Sequence, residues 1–168
     1  MTGRNDICVR ATRTQDLPVL LQLMRELAAF ERYLDRFAVT ESELLRRGFP
    51  REGPPEFFAL LAQTAADQSV GYAAYYFLPF TFDLKPTLVL KELFVQVDHR
   101  SKGVGRLLLD SVLAQALSHS CGKIQWAVLP DNDRAKTFYS RWGGTRDRDW
   151  EHWHRNVGLV KLKRLDDQ

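Results

Sequence analysis

A run of small and basic residues, Arg100-Ser-Lys-Gly-Val-Gly105, is the segment whose residue types point most directly to chemistry. It follows an apolar stretch typical of a buried strand and precedes an amphipathic helical pattern. A helix start leaves backbone N–H groups unpaired, and glycine lets a phosphate approach them without a Cβ in the way. The segment therefore predicts a loop that binds the pyrophosphate of a nucleotide, with Arg100 and Lys102 neutralising its charge.

The spacing of this loop excludes two other phosphate-binding motifs. The P-loop pattern GxxxxGK[ST] does not occur in the sequence. The dinucleotide pattern GxGxxG fails because Leu108 stands where the third glycine is required. A strand-to-helix turn that contains glycine and binds no ligand is the alternative that the loop, taken alone, leaves open.

The patterning around the loop predicts the elements that position it. Helices are expected in four segments: from about Asp16, over 40–48, over 103–119 and over 132–142. Strands are expected over 7–10, 57–62, 70–77, 88–97 and 124–129, with a closing hairpin from about 150 to 165. Thr40 and Glu43 form a capping box at the second helix. This order predicts an α/β fold in which a mixed sheet carries helices on both faces.

Length and composition limit the class of protein. The 168 residues, 45% hydrophobic and 27% charged, predict one globular domain over 1–168. Without an N-terminal apolar stretch or a run long enough to span a bilayer, we expect a cytoplasmic protein and no membrane partner. The net charge of +3 is dispersed, which argues against a nucleic-acid partner. Cys8, Cys121, His152 and His154 lack metal-site spacing, so no metal is expected.

Four motifs together resemble the GNAT acetyltransferase superfamily: Val9-Arg10-Ala-Thr with Asp16, Arg100-x-x-Gly103-x-Gly105, Asn132, and Phe138-Tyr139 ahead of a glycine. Within it the chain looks most like the diamine and thialysine acetyltransferases, through Arg25-Glu26-Leu-Ala, Phe30-Glu31, Tyr75-Tyr-Phe77, Trp126-Ala-Val-Leu129 and Asp149-Trp150. The resemblance covers nearly the whole chain. It implies a GNAT-like, mostly antiparallel central sheet, acetyl-coenzyme A as co-substrate, a small primary amine as acceptor, and a homodimer.

The resemblance also implies which residues bind the cofactor: Phe94, Val95, Arg100, Ser101, Lys102, Gly103, Val104, Gly105, Arg106, Asn132 and Tyr139. Backbone N–H groups near Phe94 and Val95 would stabilise the oxyanion and pair with the pantetheine arm. Asn132 would contact the cofactor or cap the following helix.

Tyr139 is the predicted acid that protonates the departing thiolate. A phenol with a pKa near 10 matches a thiolate leaving group, and the resemblance indicates the same position. The alternative is a tyrosine whose ring packs in the core beside Phe138.

Glu92 is the predicted catalytic carboxylate, and the identity of the proton acceptor stays open. The diamine-type group has two consecutive acids in this strand, whereas this chain has Lys91 at the first position and Glu92 at the second. Since successive strand side chains point to opposite faces, Glu92 is not expected to take its neighbour's place. Either Glu92 contacts the substrate while water removes the proton, or the enzyme takes a different amine, or Glu92 is simply a solvated strand residue.

Candidate substrate-binding carboxylates are Glu26, Glu31, Asp83 and Glu92. The first three could equally be solvated helix or loop charges. Lys91 and the pI near 9.0 disfavour a polyamine and leave room for an amine that carries its own carboxylate, such as lysine or its thia analogue. Two other functions stay open: acetylation of a protein lysine or N-terminus, and a non-catalytic sensor that binds coenzyme A.

Overall fold

A computed structural model describes residues 7–154. Its helices are α1 (Leu17–Phe30), α2 (Glu41–Gly48), α3 (Val104–Ser118) and α4 (Asp133–Trp142). Its strands are β1 (Cys8–Ala11), β2 (Phe58–Gln63), β3 (Ser69–Leu78), β4 (Thr87–Val95) and β5 (Lys123–Gln125). The chain forms two compact units, divided between Val128 and Leu129.

All five strands belong to the first unit and form one sheet in the order β1-β2-β3-β4-β5. The three pairings from β1 to β4 are antiparallel, and the β4–β5 pairing is parallel. The helices α1 and α2 pack on one face, where Leu20, Leu44, Tyr72 and Phe94 share a buried cluster. The helix α3 packs against β2, β3 and β4 with a separate buried stripe that includes Leu108. The prediction of a mixed, mostly antiparallel sheet with helices on both faces is confirmed.

The predicted helices agree with the structure within one or two residues, and two buried stripes differ. The apolar spacing of the sequence predicts that Leu21 of α1 and Leu107 and Leu113 of α3 face the core. The structure instead buries Leu23 and Leu109 and leaves Leu107 and Leu113 about 40% exposed. At 3.6 residues per turn, a small rotation of a helix about its axis changes which of its leucines face the core.

Two predictions at the C-terminal end have other outcomes. The strand expected over 124–129 is only three residues long, because its pairing with β4 ends at Gln125. Residues 150–154 contain no strand, and the remainder of the predicted hairpin lies outside the described residues.

A partly buried ion pair joins β1 to the start of α1. The guanidinium of Arg10 donates to both carboxylate oxygens of Asp16, at 2.7 and 2.8 Å, and its Nε donates to Gln63 in β2 at 2.7 Å. Asp16 also accepts the backbone N–H of Arg13, and its pKa is lowered chiefly by the Arg10 hydrogen bond. The pair fixes the first helix against the sheet edge.

The helix starts differ in how they are capped. Thr40 caps α2 by accepting the N–H of Glu43 at 3.3 Å, which is one half of the predicted capping box, whereas the Glu43 carboxylate accepts from Arg46 and Arg47. Asn132 caps α4. No side chain caps α3. Among residues 7–154 no helix is long and apolar enough to cross a membrane.

Candidate active site

A β-bulge in the middle of β4 reorients the two charged residues of that strand. Ala74 pairs with Glu92, but the next residue, Tyr75, pairs with Leu90, so Lys91 is an extra residue without a partner on β3. A bulge sets two residues against one and bends the strand. The expected alternation of faces therefore fails here, because Lys91 and Glu92 both line the same cavity.

That cavity lies in the first unit and has a volume of about 370 Å³. Its walls are largely apolar, formed by Met24, Ala38, Val39, Leu44, Phe57, Ala74, Tyr75 and Tyr76. Four charged residues complete the lining: Glu43, Arg47, Lys91 and Glu92. A volume of this size and an apolar wall with few charges are typical of a small-molecule site.

The carboxylate of Glu92 accepts a hydrogen bond from a buried tyrosine. The hydroxyl of Tyr72, a residue with no solvent exposure, donates to Glu92 Oε2 at 2.9 Å. Burial raises the pKa of Glu92, while the Tyr72 hydrogen bond and the positive charge of Lys91 act to lower it. A partly desolvated carboxylate with a raised pKa is a better proton acceptor than a fully solvated one.

Glu31 and Tyr33 lie close enough to Glu92 for its charge to raise their pKa values. Burial raises the pKa of Glu31, and the charge of Glu92 raises it further while Lys91 lowers it. Burial and the same two carboxylates raise the pKa of Tyr33 to about 12. The end of α1 and the bulge therefore bring together Glu31 and Glu92, two of the four predicted substrate-binding acids.

The other two predicted acids occupy different surroundings. Glu26 accepts two hydrogen bonds from the Gln96 amide, at 3.0 and 3.2 Å, and so links α1 to the end of β4. Asp83 accepts from Thr81 and from the backbone N–H of Lys85 within the β3–β4 loop, and these bonds lower its pKa. Neither residue lines the cavity.

The predicted phosphate loop has a backbone that suits an anion. Ser101 and Gly103 are both left-handed, with φ of 60° and 87°, and a Cβ built on Gly103 meets nothing within 4 Å. Such turns direct successive N–H groups to one side and form anion-binding nests. Val104, Gly105 and Arg106 then begin α3 without a side-chain cap, and Lys102 is exposed. His99, just before the loop, has a buried Nδ1 without a hydrogen-bond partner among the described residues.

Arg100 turns back toward the strand. Its Nε donates to the carbonyl of Val95 at 2.7 Å, and its guanidinium lies 4.6 Å from the ring centre of Phe30 and 5.6 Å from that of Phe94. The Arg100 side chain was predicted to lie at the pyrophosphate, and in the structure it contacts the end of β4.

The edge of β4 is open where the oxyanion donors were expected. β5 pairs with β4 only at residues 87–89, so no strand among residues 7–154 covers this edge beyond Val89. Gln96 N–H donates to Val70 on β3, and antiparallel pairs alternate, so Phe94 N–H points to β3 and Val95 N–H to the open edge. Of the two predicted donors, Val95 is the one available.

The second unit contains the other predicted catalytic residue. Tyr139 lies in α4 and is partly exposed, and its ring centre is 5.4 Å from that of Phe138. The helix ends where Gly143 adopts a left-handed φ of 100° and Gly144 N–H donates to the Tyr139 carbonyl. Asn132 Oδ1 accepts the N–H of Ala135 at 3.0 Å, which is the capping role that the sequence left open.

Residues 20–144 match the acetyltransferase (GNAT) family, and the chain belongs to that family of acetyltransferases. It is 28% identical to a thialysine N-epsilon-acetyltransferase of Bos taurus over 88% of this chain and 89% of the relative. It is 30% identical to the human spermidine/spermine N(1)-acetyltransferase-like protein 1 over 87% of this chain and 21% of that longer protein. The predicted similarity to diamine and thialysine acetyltransferases is confirmed.

Among solved structures, the fold is similar to an aminoglycoside acetyltransferase from an uncultured soil metagenomic sample. The TM-score is 0.75 at 20% identity, over 91% of this chain and 97% of the other. At that identity the likeness shows the fold alone.

Two features of the site were not predicted from the sequence. The contact between Tyr72 and Glu92 depends on the register of β3 against β4, which the sequence does not display. Glu43 was predicted only as part of the capping box, and Arg47 was not singled out because helix charges of this kind usually face solvent.

Proposed function

We propose that this protein transfers an acetyl group from acetyl-coenzyme A to the primary amine of a small molecule that binds in the cavity. The observation that carries the proposal is Glu92, a carboxylate of β4 with a raised pKa that lines a largely apolar cavity. The similar proteins support it, because their names give thialysine and spermidine or spermine, all of which are amines.

The residues of the loop fit coenzyme A. The left-handed Gly103, the uncapped start of α3 and the orphaned Nδ1 of His99 leave backbone and side-chain polar groups for a pyrophosphate. Acetyl-coenzyme A supplies the activated acetyl group when it is bound. The N–H of Val95 is suited to pair with the bound cofactor or its acetyl oxygen at the open edge of β4.

The chain's own residues then perform the proton transfers during direct attack in a ternary complex. Glu92, directly or through a water, accepts the proton that the amine loses, because Tyr72 fixes its carboxylate at the cavity wall. Tyr139 donates a proton to the departing sulfur. Glu31 contributes a second negative charge near the acceptor.

The decisive test is release of free thiol from acetyl-coenzyme A with lysine, thialysine, putrescine, spermidine and a lysine-containing peptide. Turnover with at least one small amine is expected, and Glu92→Gln should lower it by about 10²-fold or more. Turnover with the peptide alone would indicate a protein acetyltransferase instead. Binding of acetyl-coenzyme A without turnover across the panel would contradict the proposal and indicate a sensor.

Tyr139→Phe tests the proposed acid. We expect kcat to fall by about 10²-fold while the affinity for acetyl-coenzyme A stays the same, because only the proton donor is removed. Steady-state kinetics and equilibrium binding measure the two quantities separately. Phe138→Leu, a change in the adjacent ring, is the control, and an unchanged kcat in Tyr139→Phe would refute the role.

One globular domain, cytoplasmic location and homodimeric assembly stay predictions. An exposed aromatic loop between β3 and β4 supports assembly, because Phe80 and Phe82 are 81% and 101% exposed. Apolar surface of this kind is often buried between subunits.

A further inference from the structure

The bulge in β4 gives the cavity a positive charge beside its catalytic carboxylate. In a regular strand Lys91 and Glu92 would lie on opposite faces, but the extra residue in β4 leaves both side chains lining one cavity. Lys91 is solvent-exposed. Among residues 7–154 no ion pair joins it to a carboxylate.

The other charged residues of the cavity already compensate one another. Glu43 accepts from Arg46 and Arg47, each at 2.8 Å, and Arg47 also donates to Glu56 at 2.7 Å. Glu92 accepts only the neutral phenol of Tyr72, so its negative charge is not cancelled by that contact. Lys91 and Glu92 are therefore the two charges of the lining that are left for a ligand.

We propose that Lys91 is a specificity-determining residue that selects an acceptor amine carrying a carboxylate and disfavours di- and polyamines. Its ammonium offers three donors to an anionic group of the acceptor, while Glu92 takes the reacting amine. A second ammonium on the acceptor would instead meet a like charge, which is how an unwanted ligand is rejected. This inference rests on the proposed function, because it concerns the acceptor of the same site.

Lysine and cadaverine form the sharpest pair of acceptors, because they differ only by the α-carboxylate. Lysinamide keeps nearly the shape of lysine and removes the negative charge. For the wild type we expect kcat/KM to be at least about tenfold higher for lysine than for either of the other two. Lys91→Gln should reduce that ratio by about tenfold, Lys91→Glu should reverse it, and Lys91→Arg should retain it.

Lys123→Gln is the matched control, because it removes the same charge from an exposed residue of β5 outside the cavity. Its lysine-to-cadaverine ratio should equal that of the wild type. A wild type that prefers cadaverine, or an unchanged ratio in Lys91→Gln, would overturn the assignment.

A binding measurement separates this inference from the proposed function. Titration of lysine and of cadaverine into the protein loaded with coenzyme A, followed by calorimetry, requires no turnover. Tighter binding of lysine that depends on Lys91, without any acetyl transfer, would support the specificity role and refute the proposed reaction. Acetyl transfer with equal binding of both amines would support the proposed reaction and refute the specificity role of Lys91. If neither amine bound, the role of Lys91 would also be overturned.

Discussion

At Glu92 burial and a hydrogen bond act on the same carboxylate in opposite directions. Burial favours the neutral acid and raises the pKa, and the Tyr72 hydroxyl, which donates at 2.9 Å, favours the carboxylate. The reaction needs the ionised form, so kcat/KM should fall on the acidic side of the pKa of Glu92. The position of that acidic limb therefore reports the balance between the two effects.

Tyr72→Phe should move the acidic limb of kcat/KM to higher pH by about one unit. A hydrogen bond to a charged group contributes about 1.5 to 3 kcal/mol, and 1.36 kcal/mol corresponds to one pKa unit. Tyr75→Phe, which removes a neighbouring buried phenol that does not bond to Glu92, should leave the limb in place. An unmoved limb in Tyr72→Phe would show that Glu92 is not the titrating group.

The sequence could identify Glu92 and Lys91 as charged strand residues but not as neighbours in one cavity. Period-two alternation assigns them to opposite faces, and the bulge that cancels this rule has no glycine or proline to mark it. Register is set by cross-strand pairing with β3, which a single sequence does not display.

The start of α3 depends on a backbone conformation that few residues adopt. Gly103 has φ of 87°, where a side chain costs roughly 1 to 2 kcal/mol. Gly103→Asp should weaken acetyl-coenzyme A binding more than Gly103→Ala, because it adds negative charge next to the pyrophosphate. Calorimetric titration with acetyl-coenzyme A and with desulfo-coenzyme A measures the loss.

Gly53→Ala provides the control for backbone strain alone. Gly53 has φ of 76° and open space around its Cβ position, as Gly103 does, but it lies in the loop before β2. Gly53→Ala should lower the thermal stability by about as much as Gly103→Ala does, without changing the affinity for acetyl-coenzyme A. Equal affinity in wild type and Gly103→Asp would contradict the assignment of the loop.

Helix boundaries that are marked by a capping residue or a terminal glycine could be predicted closely from the sequence. The helices α2 and α4 begin at the capping residues Thr40 and Asn132, and α4 ends at Gly143, all of which the sequence displays. The length of β5 could not be predicted, because a strand ends where its partner diverges and not where its apolar residues end. The opening between β4 and β5 that exposes Val95 is therefore a property of the sheet as a whole.

At the scale of the molecule, the Arg10–Asp16 pair couples the stability of the fold to pH. The pKa of Asp16 is lowered in the folded state, chiefly by the Arg10 hydrogen bond. The pair therefore stabilises the protein fully above the unfolded pKa of about 3.9, and this contribution is lost as pH falls through the lower folded pKa. Asp16→Asn should lower the free energy of unfolding at pH 7 by about 2 to 3 kcal/mol.

Urea unfolding of both proteins between pH 7 and pH 3 measures this difference. The gap between wild type and Asp16→Asn should narrow toward pH 3, because protonation removes the same interaction. Glu43→Gln is the contrast, since Glu43 pairs with Arg46 and Arg47 at the solvent-exposed surface, where water screens the charges. A gap independent of pH would mean that Asp16 stabilises the fold through packing and not through its charge.

The division of the chain at Val128 bears on whether both proposed catalytic residues belong to one cooperative structure. We propose that residues 1–168 unfold as a single domain, since β5 and α4 follow one another directly and α4 alone is too short to be stable in water. Three of the four tryptophans, Trp142, Trp150 and Trp153, lie after Leu129. Trp150 and Trp153 are already 76% and 88% exposed, so the half-buried Trp142 of α4 is the one whose fluorescence reports unfolding of the second unit. Far-ultraviolet circular dichroism is dominated by the first. Coincident thermal transitions by the two probes are expected, and a fluorescence transition at clearly lower temperature would show that Tyr139 belongs to a separately folding unit.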